Sequence, residues 1–411
     1  MNDAMQIARR SLGEQHPATA AAALEHGFAL QLSDRCVEAA ASFEIAERFA
    51  RAQQDLRALS SALRGLACAH VQQGRPERAI DVVRESVSAA ERQPPPADRR
   101  VLMLAYIQAA MTLEGAMRAG AMEPATRAYG LARELYGARP AKPLLDARSV
   151  HAIALAGEGQ LARAADEQEA VLAQQVELLG AEHQEVVFTH NQLGLLYRRL
   201  GDTAASLRHY DEALRVAAIQ SAGKPSWDVA TVRMSRAQTL TGAQRFAEAL
   251  PQWRQAAHET TALLGGRSTA AQTSRAGVGF ALTRLGRPDE AEAVFAALLA
   301  DLPAAPGNSP QQAAIRLRLS ALRSAQGRHD EALALVRGAR LPYDQAPPAV
   351  RDRERALWSI ALAQALLAAG QRAEALAAFD EARALLAPLQ PRGSPELAEI
   401  AAGSARARAA P

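Results

Sequence analysis

The chain has 411 residues, of which 49% are hydrophobic but only 4% aromatic, and alanine alone fills 97 positions. Its 47 basic and 44 acidic residues leave a net charge of +3, too little on so long a chain to imply a nucleic-acid partner, even at a sequence pI near 9.1. Two cysteines, Cys36 and Cys68, exclude a disulfide scaffold and a cysteine-built zinc module.

Small apolar residues in excess suit closely packed helices and suit strands poorly. Of the basic residues 45 are arginine, with Lys142 and Lys224 the only lysines, a bias that reads as bacterial genome composition. The opening residues MNDAMQIARRSLGEQHP lack the apolar stretch of a secretory signal. The most apolar window, 356–370, is interrupted by Ser359 and Gln364 and falls short of the roughly 20 apolar residues of a membrane span. A cytoplasmic location without membrane contact is therefore expected.

In chain order, residues 5–13 align with the second half of a unit that then recurs. Its mark is a Gly, four residues, and an Ala: Gly74 with Ala79, Gly120 with Ala125, Gly159 with Ala164, Gly286 with Ala291, Gly327 with Ala332, Gly370 with Ala375. Three copies deviate, since Asp34 precedes Ala39, Gly201 precedes Ser206 and Gln244 precedes Ala249. The nine positions 39, 79, 125, 164, 206, 249, 291, 332 and 375 follow one another at a mean spacing of 42 residues. The Gly closes a first helix in the left-handed conformation, and the Ala lets a second helix lie close against the first.

Twelve residues before that position stands a small residue: Gly27, Ala67, Ala152, Gly194, Ala237, Gly279, Ser320 or Ala363, with Leu113 the exception. Four residues after it stands a bulky one: Phe43, Val83, Tyr129, Tyr210, Trp253, Phe295, Val336 or Phe379, with Gln168 the exception. Small against large at fixed spacing is how an antiparallel helix pair reaches native packing density. The recurring aromatics are therefore core residues, not a stacking surface for bases.

This spacing resembles the tetratricopeptide repeat. The best copy runs from Asn191 to Leu214 and matches at Leu193, Gly194, Tyr197, Gly201, Tyr210 and Ala213; residues 63–173 match least. The long period is similar to that of kinesin light chains and of many bacterial signalling proteins, whose Leu-Gly-x-x-His-Pro linker is met by Leu12 to Pro17 and in part at Leu179 and Leu264. The resemblance implies an all-α, right-handed α-solenoid of about nine antiparallel helix pairs. Residues 1–13 then form a partial repeat or N-terminal capping helix, 14–390 the solenoid, and 391–411 a C-terminal cap, opened by Ser394-Pro395-Glu396, with a disordered tail. Starting in mid-repeat fits either a cap or the C-terminal part of a longer polypeptide. Proline-rich breaks at 93–97, 139–143, 302–310 and 341–348 fall between units as linkers.

No phosphate-cradling loop and no Gly-x-Ser-x-Gly elbow is present. One cluster, Glu182, His183 and Glu185 with His190, invites a metal-enzyme reading, but no third ligand or nucleophile is local. His183 is expected in a linker, as His16 is. Cys36 and Cys68 occupy different repeat positions and are expected as free buried thiols. No catalytic residue, cofactor or metal ligand is assigned.

In the resembled family the groove is lined by first helices. Carried over position by position, this places Arg64, Cys68, Gln72, Glu114, Arg118, Ser149, Asn191, Arg198, Arg199, Met234, Gln238, Phe280 and Arg284 on it. Asn191 matches an Asn whose amide can hold a peptide backbone from donor and acceptor ends, and the arginines favour an acidic peptide. The Lys and Asn residues of the family's two-carboxylate clamp do not recur. The expectation is a non-catalytic scaffold for a protein or peptide; its rival is the regulatory arm of a larger bacterial kinase or transcription regulator. The repeats set no oligomeric state.

Overall fold

The computed structural model describes the chain except residues 1, 33–34, 95–97, 117, 138, 223, 302–309, 340–347, 390–394 and 410–411. Among the described residues there are twenty helices and no strand. They group into two compact units, Met1–Ala222 and Gly223–Pro411.

In the first unit α1 (Asn2–Leu12) precedes five helix pairs: α2 (Pro17–Leu32) with α3 (Cys36–Gln53), α4 (Leu56–Gln72) with α5 (Pro76–Glu91), α6 (Arg99–Gly115) with α7 (Met122–Tyr136), α8 (Lys142–Gly157) with α9 (Leu161–Leu179), and α10 (Gln184–Arg199) with α11 (Thr203–Gln220). The second unit pairs α12 (Trp227–Gly242) with α13 (Phe246–Leu264), α14 (Thr269–Arg284) with α15 (Pro288–Asp301), α16 (Pro310–Ala325) with α17 (His329–Arg337), and α18 (Pro348–Ala368) with α19 (Arg372–Leu386), and ends with α20 (Pro395–Arg408). Within each unit every helix packs on the next, the pattern of an α-solenoid.

The register expected from the sequence recurs in every pair. Each second helix begins three residues before its turn position, and all nine turn residues, Ser206 included, are fully buried. The turn glycines Gly74, Gly120, Gly159, Gly201, Gly286, Gly327 and Gly370 all have positive φ. Gln244, where the Gly is replaced, adopts φ 59° itself. Asp34, the other replacement, lies outside the described residues.

Packing follows from size. A methyl group on Gly27, Gly194 or Gly279 would stand 2.7, 2.5 or 2.7 Å from the ring of Phe43, Tyr210 or Phe295, so each helix pair closes only because that position has no side chain. Where a serine takes one of the two small positions, it donates to the other: Ser206 Oγ to the Gly194 carbonyl and Ser320 Oγ to the Ala332 carbonyl, both at 2.8 Å. Gln168, the exception among bulky residues, is buried and donates through Nε2 to Ser149 Oγ at 3.1 Å. Its Nε2 is thereby bonded in the core, while its buried Oε1 accepts no hydrogen bond among the described residues.

Two expectations are corrected. Cys36 and Cys68 are joined in a disulfide with Cα atoms 5.8 Å apart, and are not free thiols. The repeat position of each cysteine is irrelevant, because the contact is between a second helix and the next first helix. The turn at Gln54–Asp55 folds α4 back on α3, which lays the start of α3 beside the last turns of α4. The C-terminal tail is also ordered further than expected, since α20 continues to Arg408. A methyl on Gly403 of α20 would stand 2.2 Å from the Phe379 ring, as one on Gly65 of α4 would stand 2.3 Å from Phe43. Helix α20 thus packs as a further first helix. Ser394, expected to open it, lies outside the described residues.

Candidate functional site: a groove along the first helices

In the first unit the first helices line a groove of about 680 Å³. Phe28 and Gln31 come from α2, Arg64 from α4, Leu104, Ile107 and Met111 from α6, Lys142, Asp146 and Val150 from α8, and Phe188 from α10. Among the described residues, Gln175 is the only lining residue from a second helix. The lining is mainly apolar. Met111 and Phe188 nevertheless stand 48% and 47% exposed, so that the groove presents apolar side chains of two first helices to solvent together.

The charged groups sit at particular places. Lys142 Nζ reaches Asp146 Oδ2 at 2.9 Å and Glu185 Oε1 at 2.8 Å. Burial opposes the Lys142 charge, but its bonds to the two carboxylates outweigh this and raise its pKa. At Asp146 burial dominates over the lysine and raises the carboxyl pKa. Arg64 lies 4.7 Å above the Phe28 ring, and burial lowers its pKa to about 10. In the second unit a smaller groove of about 330 Å³ is lined by Gln238 and Thr241 of α12, Trp253 of α13, Thr273 and Phe280 of α14, and Ile315 and Arg318 of α16.

The structure therefore brings Arg64 and Ser149 together in one groove, and Gln238 and Phe280 in the other. Ser149 is nearly buried and already bonded to Gln168, and Cys68 is taken by the disulfide. Arg118 lies past the end of α6, paired with Glu77 of α5. Gln72 ends α4 and is exposed. Glu114 is half-buried over Gly157 of α8, and burial raises its pKa. Arg199 donates to the Ala156 carbonyl at 2.8 Å, while Arg198 closes the same helix. Arg284 is exposed 5.0 Å over Phe246, and Met234 is half-buried on α12. Asn191 is half-buried on α10 with a buried Oδ1 that accepts no hydrogen bond among the described residues.

Phe28, Met111, Lys142, Phe188 and Arg318 were not among the residues expected on the groove. A signal existed for Phe28: it stands eleven residues before its turn Ala, as Phe280 does.

The cluster around His183 resolves into structural roles. His183 caps α10 by accepting from the Glu185 amide at 3.2 Å, and His16 does the same for the Ala18 amide at 3.1 Å. His190 Nδ1 lies 3.0 Å from His209 Nδ1 of α11, and His209 Nε2 lies 3.2 Å from Glu169. Among the described residues no three His, Cys, Asp or Glu side chains converge as metal ligands, and no helix is long and apolar enough to cross a membrane.

A solenoid of short helix pairs with grooves along its first helices is the architecture of repeat-built interaction proteins. Residues 191–218 match the tetratricopeptide repeat family, and the chain carries that repeat within a tetratricopeptide-type α-solenoid. Among solved structures it is similar to the apo form of RapI (13% identity, TM-score 0.56, covering 85% of this chain and 97% of that one). It is also similar to the apo form of the quorum sensor NprR from B. thuringiensis (12% identity, TM-score 0.56, covering 78% and 86%). No curated protein matches the chain.

Proposed function

We infer that this chain is a non-catalytic scaffold that binds a protein or peptide partner along its first-helix grooves, as a cytoplasmic bacterial protein. The observation that carries this reading is the first unit's groove, apolar along its floor, with Met111 and Phe188 left half in solvent. Extended grooves of repeat arrays bind by presenting a preformed surface, so little ordering cost falls on the scaffold. The grooved tetratricopeptide fold, shared with NprR, described as a quorum sensor, is consistent with such a role.

The test is affinity capture with the full chain and with a Met111→Asp, Phe188→Asp variant of unchanged melting behaviour. The same partners should be retained by the first and lost by the second. Equal capture by both would remove the groove from the function.

A further inference from the structure

One charge in the first unit's groove is answered by no group among the described residues. Among the described residues Arg64 makes no ion pair and no hydrogen bond; its one marked contact is the Phe28 ring beneath it. With its pKa lowered only to about 10 it is still a cation at neutral pH. An unpaired cation held against apolar walls is costly unless a ligand supplies the counter-charge.

The platform beneath it is rigid. Phe28 packs edge-on against Phe43 at 5.1 Å, and Gly27 and Gly65, the neighbours of Phe28 and Arg64, both press on that same Phe43 ring. The guanidinium's face is covered by Phe28, which leaves its N–H edge for a planar acceptor. The other cation of the groove is already committed, since Lys142 is shared by Asp146 and Glu185. Two carboxylates on one ammonium leave that end with surplus negative charge. Arg64 is on α4 and the Lys142 cluster on α8 and α10, with Leu104, Ile107 and Met111 of α6 between them. The groove therefore runs from a positive end over an apolar floor to a negative end.

We propose that Arg64, stacked on Phe28, docks a single carboxylate of an otherwise apolar peptide that lies across α6. This rests on the scaffold reading above and narrows the acidic partner expected from the sequence to one acid, because a second would meet Asp146 and Glu185. A bidentate bond from a fixed guanidinium to a carboxylate is both strong and directional. The same construction recurs in the second unit. Arg318 of α16 lies 5.2 Å over Phe280 of α14, lines the groove there, and likewise has no ion pair or hydrogen bond among the described residues.

The proposal is tested by affinity selection with the full chain from a randomised hexapeptide library made in two forms, free C-terminal acid and C-terminal amide. Enriched peptides should be apolar with one carboxylate, and in the amide pool only members containing one Asp or Glu should be enriched. Resynthesised peptides should bind Arg64→Gln at least about tenfold more weakly, the scale of a charged hydrogen bond. Arg64→Lys, which keeps the charge without the planar fork, should lose less, and the melting curve of free Arg64→Gln should lie at or above the parent's, since a costly unpaired charge is removed. Enriched peptides lacking a carboxylate, carrying several acids, or bound equally by Arg64→Gln overturn the proposal and leave peptide binding standing. A library with no enriched member removes both.

Discussion

Gln244 holds a φ of 59° in the turn between α12 and α13, where seven of the eight sister turns use glycine. A left-handed conformation costs a residue with a Cβ about 1 kcal/mol more than it costs glycine. Gln244→Gly should therefore stabilise the second unit by roughly 0.5–1 kcal/mol, read as a rise in its urea midpoint; a fall would mean that the Gln side chain contributes more than its backbone costs. The opposite sign is expected at Gly194, where Ala would place a methyl 2.5 Å from the buried Tyr210 ring. That change should destabilise by roughly 1–3 kcal/mol, and an unchanged midpoint would contradict the packing described. Both residues were legible in the sequence, because small and large residues recur at one spacing. The Arg64 platform was legible only in part: Arg64 stood on the expected helix face, but the ring that covers it is on another helix, and only contact reveals that no carboxylate meets it.

Between elements, two cross-links join neighbouring helices at positions that repeat spacing does not expose. The Cys36–Cys68 bond ties α3 to α4 across a separation of 32 residues, and a loop of that size is worth roughly 3.5–4 kcal/mol of chain entropy. Dithiothreitol, or Cys36→Ser with Cys68→Ser, should lower the first unit's denaturation midpoint and leave the second unit's unchanged. A thiol assay showing two free sulfhydryls in oxidised, untreated protein would refute the bond. Reducing conditions open such bonds, so the same measurement with reductant gives the stability of the reduced chain. The second link is His190 of α10 with His209 of α11, set among Glu169, Tyr197, Arg208, Glu212 and Arg215. Burial lowers both imidazole pKa values from 6.5, with His209 adding to the effect at His190 and Glu169 opposing it at His209. The unfolded chain therefore binds more protons just below pH 6.5, and stability rises with pH there. The midpoint should hold from pH 7.5 down to about 6.5 and fall as pH is lowered further, and His190→Gln with His209→Gln should flatten that fall. An equally steep profile in the double variant would place the sensitivity elsewhere. Neither link could be read from periodicity, since each depends on which faces of two helices meet.

For the whole molecule, the 42-residue register passes from position 206 to 249 at 43 residues, its ordinary step, yet residues up to Ala222 form one compact unit and those from Gly223 the other. Hydrophobic spacing reports how each helix pair is built and is silent on where pairs group, so the division escaped the sequence; Gly223 and Pro225 were its only local mark. Repeat arrays owe their stability to the intrinsic stability of each pair plus its interfaces with the pairs beside it. Each unit contains several such interfaces and its own buried ring contacts, Phe43 and Tyr210 in the first, Trp253, Phe295 and Phe379 in the second. Fragments 1–222 and 223–411 should accordingly each give a helical circular dichroism spectrum and a cooperative urea transition. A fragment with a disordered spectrum would show that its pairs depend on the rest of the chain. Because α2, α4, α6, α8 and α10 all lie in the first fragment, it should also bind any Arg64-dependent peptide with the affinity of the full chain. A fragment that folds but loses that binding would move the partner's contacts beyond the groove of the first unit.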